Sequence, residues 1–234
     1  MAFNAVAGTE VVGMANVRVI EPAIDTNRFD PARAVADGRA KLGIPADAFV
    51  LGIVARVQAR RRFDVFLEAA RRLCQRDSRA RVVILGGGTN QYEVARRPVE
   101  EMGLADRITF PGVLRADEYV SALRTFDVKA YMVPGTDGTC RAVKEAMCSG
   151  IAVVVANVGM LSELVTHEKT GLVFDGSVEG LDEAIERLRA NANERKALGA
   201  AASRDAMDRW QREPMRLRYE DAYAELVGPM ASRS

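Results

Sequence analysis

The sequence predicts an α/β fold: a doubly wound, Rossmann-like parallel sheet with helices on both faces. Two observations predict it. From residue 48 onward, short β-branched runs alternate with longer amphipathic runs, and the β-branched runs are continuously apolar. Continuous apolar strands are typical of parallel sheets buried on both faces, and strands that alternate with helices favour that arrangement. The ligand of such a sheet lies beyond the carboxyl ends of its strands.

The elements follow one another regularly. Runs with the composition of strands occupy residues 49–55, 81–85, 108–110, 128–133, 151–156 and 171–174. Segments with the apolar spacing of helices occupy residues 63–74, 91–102, 117–126, 140–149, 161–165 and 178–190. Pro98 should kink or split its helix, because proline cannot donate the backbone hydrogen bond that the helix interior requires.

The two ends differ from this pattern. Residues 1–16 are rich in Ala and Gly and weakly patterned, and we interpret them as a remnant of an interdomain segment or of cloning. Asp30-Pro31 is typical of a helix start and predicts a helix that runs to Leu42. The chain should be wholly helical after about Glu194, with Pro214 at the start of the last helix, so the fold carries a helical carboxyl-terminal tail. The predicted domain spans residues 17–227, and residues 228–234 form a short tail.

Composition excludes several classes of function. Lys and Arg number 33 against 32 Asp and Glu, a net charge of +1 that argues against nucleic-acid binding by bulk positive charge. The three cysteines form no C-x-x-C pair and there is one histidine, so we expect neither a disulfide framework nor a metal site. We find no signal peptide, and the longest apolar stretch, residues 151–156, is too short to span a bilayer. We therefore expect a cytoplasmic protein, with peripheral membrane association left open for the full enzyme.

The first candidate site lies where the fourth strand is followed by a helix. The free backbone amides of a helix start bind anions such as phosphate. Asp137 precedes that start and Glu145 lies inside the helix, so their carboxylates could accept hydrogen bonds from hydroxyl groups on either side of a phosphate. The competing interpretation, which the spacing leaves open, makes Asp137 a helix cap and Glu145 an ion-pair partner of Arg141.

The second candidate site directly follows the first strand. Arg56 stands at the strand end, and a run of three arginines, Arg60 to Arg62, comes shortly after it. Guanidinium groups grip phosphate oxygens by bidentate, charge-assisted hydrogen bonds. Because charge runs are more often solvated loops, we favour a functional role for Arg56 and leave the members of the run open. Gly86 to Gly88 end the second strand, either to admit a ligand or as an ordinary tight turn.

Together these pieces resemble the carboxyl-terminal domain of family 4 (group 1) glycosyltransferases of the GT-B type, from about Val17 to Val227. The matching runs occur in the family's order: residues 19–29 (VIEPAIDTNRF), 53–57 (IVARV), 86–88 (GGG), 103–112 (GLADRITFPG), 145–154 (EAMCSGIAVV), and 158–165 with 170–173 (VGMLSELV and TGLV). The resemblance implies a domain that binds a nucleotide-diphosphate sugar, in an enzyme that retains the anomeric configuration and needs no metal or other cofactor.

Site residues are carried over by position. Arg56, with Arg61, Arg62 or both, would bind the donor diphosphate; Glu145 would hold the ribose hydroxyls; and Asp137 would contact the donor sugar, the two carboxylates being the predicted catalytic pair. The backbone near Val113 would lie beside the base. The remaining donor-binding positions are Gly87 in the glycine turn and, at the helix start, Gly138, Thr139, Cys140 and Arg141.

The sequence also departs from the family pattern. Asp137 replaces a glutamate, Arg61 stands in place of the usual lysine, Arg62 in place of a glycine, and Met160 replaces the second glycine of its loop. These changes leave the sugar unidentified and keep a non-catalytic nucleotide-sugar-binding or regulatory module as the alternative function, with a generic nucleotide-binding protein as a weaker third.

A further expectation concerns completeness. The resemblance implies an amino-terminal acceptor domain for which there is no room before Val17, so we expect an excised domain, a truncated product or half of a split enzyme. The last helix carries an apolar stripe of Tyr219, Ala222, Tyr223 and Leu226. That stripe should face the absent domain or a second copy, unless it closes the core of this domain.

Overall fold

The computed structural model of the protein describes residues 18–133 and 140–227, which form one six-stranded parallel sheet covered by helices. The strands are β1 (Val50–Val54), β2 (Arg81–Leu85), β3 (Ile108–Gly112), β4 (Val128–Tyr131), β5 (Ala152–Ala156) and β6 (Leu172–Phe174). Their order across the sheet is β3-β2-β1-β4-β5-β6. This is the doubly wound order with its switch point between β1 and β4, so the predicted fold class is confirmed.

Within the described residues, two short helices precede β1, and the others lie in the connections between the strands and after β6. The helices are α1 (Thr26–Phe29), α2 (Gly38–Leu42), α3 (Phe63–Arg76), α4 (Arg97–Glu101), α5 (Ala116–Leu123), α6 (Arg141–Cys148), α7 (Leu161–Leu164), α8 (Val178–Ala190), α9 (Ala192–Arg209) and α10 (Arg212–Val227). A 3₁₀ turn, Ala59–Arg61, precedes α3, and a π-helical turn, Tyr92–Arg96, precedes α4. The segment with Pro98 keeps a helical backbone throughout, and its irregularity is the π-helical turn that precedes the proline. None of the helices within the described ranges has the length and apolar character needed to span a bilayer.

Each face of the sheet has its own apolar core, because successive residues of a strand point to opposite sides. Leu51 and Ile53 pack with α3 and α8 on one face, whereas Val50 packs with α5, α6 and Trp210 on the other. Burial on both faces explains why the strands read as continuous apolar runs. Lys129 is an exception in this pattern, a fully buried lysine in β4.

The predicted helix from Asp30 to Leu42 is wrong. Residues 31–37 are not helical, and the helix begins only at Gly38. The Asp37 carboxylate accepts hydrogen bonds from the amides of Arg39 and Ala40 at 2.9 and 3.3 Å, which makes it the cap that the sequence had placed at Asp30.

One local contact and one distant contact hold the non-helical segment in place. The Asp30 carboxylate instead closes a local turn, accepting from the Ala32 amide at 2.8 Å. The Arg124 guanidinium donates to the Arg33 carbonyl oxygen at 2.6 Å, an acceptor that a continuous helix would use for its own ladder. A tertiary contact therefore overrides the local signal.

The two ends of the domain are joined through Trp210. Its indole Nε1 donates to the Glu21 carboxylate at 2.6 Å, and its carbonyl oxygen accepts from the Ile24 amide at 3.0 Å. Lys144 of α6 adds a third tie, because its Nζ donates to the Pro22 carbonyl oxygen at 3.1 Å and lies 4.9 Å from the Trp210 ring centre. This contact fixes the segment before α1 against α6 and the end of α9.

The apolar stripe of α10 does not close the core. Tyr219, Tyr223 and Leu226 are 43%, 64% and 82% exposed, and Leu217 on the same helix is 47% exposed. The expectation that part of this face stays uncovered within the chain is confirmed, and the interpretation that it closes the domain core is wrong.

Arg62, at the start of α3, has a left-handed backbone conformation with φ of 55°. That conformation costs a residue with a Cβ about 1–2 kcal/mol, and glycine escapes it at an entropic cost of about 0.5–1 kcal/mol. We therefore predict that Arg62→Gly is more stable than Arg62→Ala by about 1 kcal/mol in denaturant unfolding, since both variants lose the exposed ion pair with Asp64. At Arg60, inside the 3₁₀ turn, glycine should instead be the less stable of the two; the same order at both positions would contradict the prediction.

Candidate functional site

The candidate site lies at the carboxyl ends of β1 and β4, where the direction of the strand order reverses. In doubly wound sheets the connections on the two sides of this point go to opposite faces, which leaves a crevice between them. The loop after β1 carries Arg56, and the segment after β4 leads into α6. Both predicted sites therefore come to the same edge of the sheet.

The loops after β1 and β2 are held together by backbone contacts that require glycine. The Val57 amide donates to the Gly87 carbonyl oxygen at 3.1 Å. A Cβ on Gly86 would lie 2.0 Å from the carbonyl oxygen of Ala55, and one on Gly88 would lie 2.3 Å from that of Val57. Gly86 and Gly88 thus serve the contact between the two loops.

Gly87 and Val113 are neighbours at this edge. A Cβ built on Gly87 would lie 3.4 Å from a methyl group of Val113, whose residue is 72% exposed. The structure therefore brings together the two positions predicted to lie beside the nucleotide, although they come from the loops after β2 and β3.

The basic residues of the first loop have different environments. Arg56 is exposed, directly beyond the end of β1. Arg61 is buried in the 3₁₀ turn, and Arg62 is exposed with its guanidinium Nε 3.3 Å from the Asp64 carboxylate. Arg56 and Arg62 can therefore meet a ligand without rearrangement, whereas Arg61 would have to act from inside the turn.

The start of α6 is only partly described. Asp137, Gly138 and Thr139, which the sequence places in the donor site, lie outside the described residues. Cys140 is buried at the helix cap with a left-handed φ of 45°, and its carbonyl oxygen accepts from the Val143 amide at 2.8 Å. Arg141 opens the helix with an exposed side chain.

Glu145 is buried, with 6% of the residue exposed. Its Oε2 accepts from the Tyr119 hydroxyl at 2.6 Å, and its Oε1 accepts from Arg141 Nε at 2.8 Å. The ion pair that the sequence left open therefore exists. It does not exhaust the carboxylate, which can accept about four hydrogen bonds.

Tyr119 is a site residue that sequence reasoning missed. It comes from α5, and its ring meets that of Phe29 edge to face at a centroid distance of 6.1 Å. Burial raises the pKa of Tyr119 well above its usual range, and the negative charge of Glu145 raises it further. The hydroxyl therefore stays protonated and donates to the carboxylate, which fixes one oxygen of Glu145.

Lys129 is the second residue that was missed. Its Nζ donates to the Ala142 carbonyl oxygen in the first turn of α6 at 2.8 Å and lies 4.6 Å from the centre of the Tyr131 ring. Burial lowers the pKa of Lys129 from 10.5 to about 7, against the opposing pull of Glu145. A lysine inside an otherwise apolar strand run was the signal that could have found it.

The described part of the chain holds no group of three or more His, Cys, Asp and Glu side chains that could bind a metal ion. The polar groups described at the candidate site are guanidinium, carboxylate and phenol groups. These groups suit the phosphates and hydroxyls of an organic ligand.

Comparison with known proteins identifies the family. The family model for glycosyl transferases group 1 matches residues 35–205, nearly three quarters of the chain. The chain belongs to the group 1 glycosyltransferases. The match includes all described strands, Arg56 and Glu145.

Two curated relatives within this group are similar over most of the chain. A GDP-mannose-dependent alpha-(1-6)-phosphatidylinositol monomannoside mannosyltransferase of Mycobacterium tuberculosis is 31% identical over 218 residues, which cover 88% of this chain and 55% of that protein. A D-inositol 3-phosphate glycosyltransferase of Kineococcus radiotolerans is 36% identical over 211 residues, covering 82% and 48%. The chain thus spans about half the length of the curated relatives it matches.

Solved structures share the fold of this group 1 domain. Anabaena HepE, crystallised in complex with UDP and glucose, superposes with a TM-score of 0.80 at 22% identity over 94% of this chain and 60% of that one. The carboxyl-terminal domain of a group 1 glycosyl transferase from Francisella tularensis gives a TM-score of 0.70 at 21% identity, covering 81% of this chain and 99% of that domain. The fold is therefore that of a GT-B carboxyl-terminal domain.

The buried lysine makes a prediction about stability and pH. Between the folded-state pKa of about 7 and the ordinary value of 10.5, the unfolded chain carries a proton on Lys129 that the folded chain lacks. Raising the pH through this window therefore favours the folded state, by up to about 1.4 kcal/mol per pH unit. The free energy of unfolding of the wild type, measured in denaturant, should rise relative to that of Lys129→Met across this window.

The exposed Lys169 supplies the control. Lys169→Met should keep the wild-type dependence of stability on pH, because its amine stays in water in both states. Parallel stability curves for the wild type and Lys129→Met would show that Lys129 does not titrate in this window.

Proposed function

We propose that the chain is the donor-binding half of a retaining glycosyltransferase, which binds a nucleotide-diphosphate sugar in the crevice between the ends of β1 and β4. One observation carries the proposal. Exposed Arg56 and the hydrogen-bonded carboxylate of Glu145 stand on the two sides of the switch point in a member of the group 1 family. A cation for phosphate and an acceptor for hydroxyls at one crevice are what such a donor requires.

Each end of the donor has a group to meet it. The guanidinium of Arg56 binds the diphosphate, supported by Arg62 or Arg61 from the same loop. The Glu145 carboxylate holds the ribose hydroxyls with the lone pairs that Tyr119 and Arg141 leave unused. Asp137, from the segment before α6, contacts the donor sugar, and no metal takes part.

The donor is proposed from the relatives as a GDP or UDP sugar. The Mycobacterium tuberculosis relative is named as GDP-mannose-dependent, and the Anabaena structures contain UDP and UDP-glucose. Thermal unfolding of the chain with GDP-mannose, UDP-glucose and ADP-glucose distinguishes these bases, since a ligand that binds only the folded state raises the melting temperature. No stabilisation by any of the three would contradict the proposal.

The acceptor and its domain belong to the proposal as well. The acceptor is bound by an amino-terminal domain, with the reaction taking place between the two halves. The exposed face of α10 formed by Tyr219, Tyr223 and Leu226 supports a contact outside this domain. That contact is with the acceptor domain or with a second copy of the chain.

The first functional prediction concerns Arg56. Arg56→Ala should weaken the binding of both the nucleoside diphosphate and the nucleotide sugar, because the lost contacts are to phosphate. A charge-assisted hydrogen bond is worth about 1.5–3 kcal/mol, so the affinity in calorimetry should fall about tenfold or more.

Arg79→Ala is the matched control, since Arg79 is also exposed but pairs with Asp47 at the opposite edge of the sheet. Its affinity should equal that of the wild type. Unchanged affinity in Arg56→Ala would remove Arg56 from the site.

The second functional prediction concerns catalysis. The chain by itself should bind donor weakly and transfer no sugar, because transfer needs the acceptor domain to position the nucleophile and to exclude water. Radiolabelled-donor assays with the chain alone, and with a two-domain form, measure this.

The same pair of assays separates the alternative function. A two-domain form that binds donor but transfers sugar from none of the common donors would favour a non-catalytic nucleotide-sugar-binding or regulatory module, to which Asp137 and Met160 point. Robust transfer by the chain alone would contradict the proposed dependence on a second domain.

A further inference from the structure

Lys129 lies beneath the candidate site rather than in it. It is 0% exposed, in the middle of β4, with Gly52 of β1 and Val153 of β5 as its neighbours across the sheet. An ammonium group in such a place must be compensated, because burying a charge without partners is very costly. The partners that the structure provides all belong to the edge where the donor is proposed to bind.

The Nζ contact leads directly to Glu145. Helix carbonyl groups point toward the following turn, so the Nζ that donates to Ala142 at 2.8 Å lies beside the turn that holds Glu145. Ala142 and Glu145 are three residues apart and therefore share one side of α6. Lys129 thus supports the first turn of α6 and places a cationic group behind the carboxylate.

The groups around Lys129 come from three elements. Tyr119 of α5 donates to Glu145, Tyr131 of β4 offers its ring to Nζ, and α6 with its cap supplies Cys140, Arg141 and Glu145. Of these, Glu145 is the carboxylate, and its charge acts to keep the lysine protonated while burial acts against it. Burial outweighs the carboxylate and brings the pKa of Lys129 to about 7, so its protonation near neutral pH is sensitive to charge that binds nearby.

We propose that Lys129 is a positioning residue for the nucleotide sugar, which fixes the first turn of α6 through Ala142 and adds positive charge beneath Glu145 and the donor diphosphate. This inference rests on the proposed function, since the ligand is the same. Lys129 touches no donor atom and acts through the helix and the electrostatic potential of the site. The diphosphate therefore binds best when Lys129 is protonated, and its binding draws a proton onto the amine.

The test compares two buried lysines. Calorimetry measures the affinity of the wild type, Lys129→Met and Lys144→Met for GDP-mannose and UDP-glucose at about pH 6 and about pH 8.5; the diphosphate diester of these donors keeps its charge over this range. The wild-type affinity should fall several-fold, up to about tenfold, between the two, since one unit of pKa coupling is a factor of about ten. Lys129→Met should bind about tenfold more weakly at the lower pH and show no such fall.

Lys144→Met is the matched control, because Lys144 is also buried on α6 but contacts Pro22 and Trp210 instead. It should lose stability and keep the wild-type affinity and pH response. A lysine that serves only to stabilise the fold would make the two variants alike. Wild-type affinity and pH response in Lys129→Met would overturn the inference and leave the proposed function standing.

A measurement without ligand covers the case in which Lys129→Met fails to fold. NMR titration of the Lys129 side chain in the wild type and in Glu145→Gln should show its pKa lower in the variant, since the compensating carboxylate is gone. An equal pKa in both proteins would overturn the coupling. Absence of donor binding by the wild type would instead contradict the proposed function, and the inference with it.

Discussion

β1 pairs with β4 on one side and with β2 on the other, and this pairing determines where the candidate site lies. A chain that crosses from β3 back over β1 to β4 must send its later helices to the opposite face, which opens the crevice at the ends of β1 and β4. Arg56 and α6 are about 85 residues apart in the chain and share this crevice for no other reason. The loops after β2 and β3 then line the same edge because all of the strands are parallel.

A polar cluster lies beneath the crevice, and the apolar core must accommodate it. Tyr119, Lys129 and Glu145 are largely withdrawn from water. Tyr119 donates a hydrogen bond to Glu145, and Lys129 donates one to a backbone carbonyl oxygen. Removing one member of such a cluster leaves its partner buried and uncompensated, which costs more than the pair itself contributes. The cluster therefore holds the geometry of Glu145 at the expense of some stability, an arrangement common at binding sites.

The sequence predicts the sheet well because its signal is local. Each strand run is apolar throughout, as burial on both faces requires, and helix ends such as Gly103 and Gly150 have the left-handed φ that the pattern implied. The prediction fails where a distant side chain decides. Asp30-Pro31 has the chemistry of a helix start, yet Arg124 from the segment after α5 takes the Arg33 carbonyl and Asp37 provides the cap.

The residues of the candidate site likewise fall into those that local sequence predicts and those that depend on distant contacts. Arg56, Glu145 and the loop glycines could be found because they stand at recognisable places relative to strands and helices. Tyr119 could not, because nothing in an amphipathic helix of eight residues shows that its tyrosine meets a carboxylate 26 positions away. The conservative interpretation of Glu145 as a partner of Arg141 is correct, and it is compatible with the proposed role because the carboxylate has more than one lone pair to offer.

Lys129 and Lys144 have similar surroundings but connect different parts of the domain. Both are buried lysines whose Nζ donates to a backbone carbonyl and faces an aromatic ring. The two lysines differ in the carbonyl oxygen that each one contacts. Lys144 thereby connects α6 to the segment before α1, whereas Lys129 connects the start of α6 to the sheet. Burial lowers the pKa of both, and Glu21 opposes it at Lys144 as Glu145 does at Lys129. Glu21 is bound by Trp210, whereas Glu145 is the carboxylate proposed to receive the ligand, so under the proposed function a ligand changes the charge balance around Lys129 and not around Lys144.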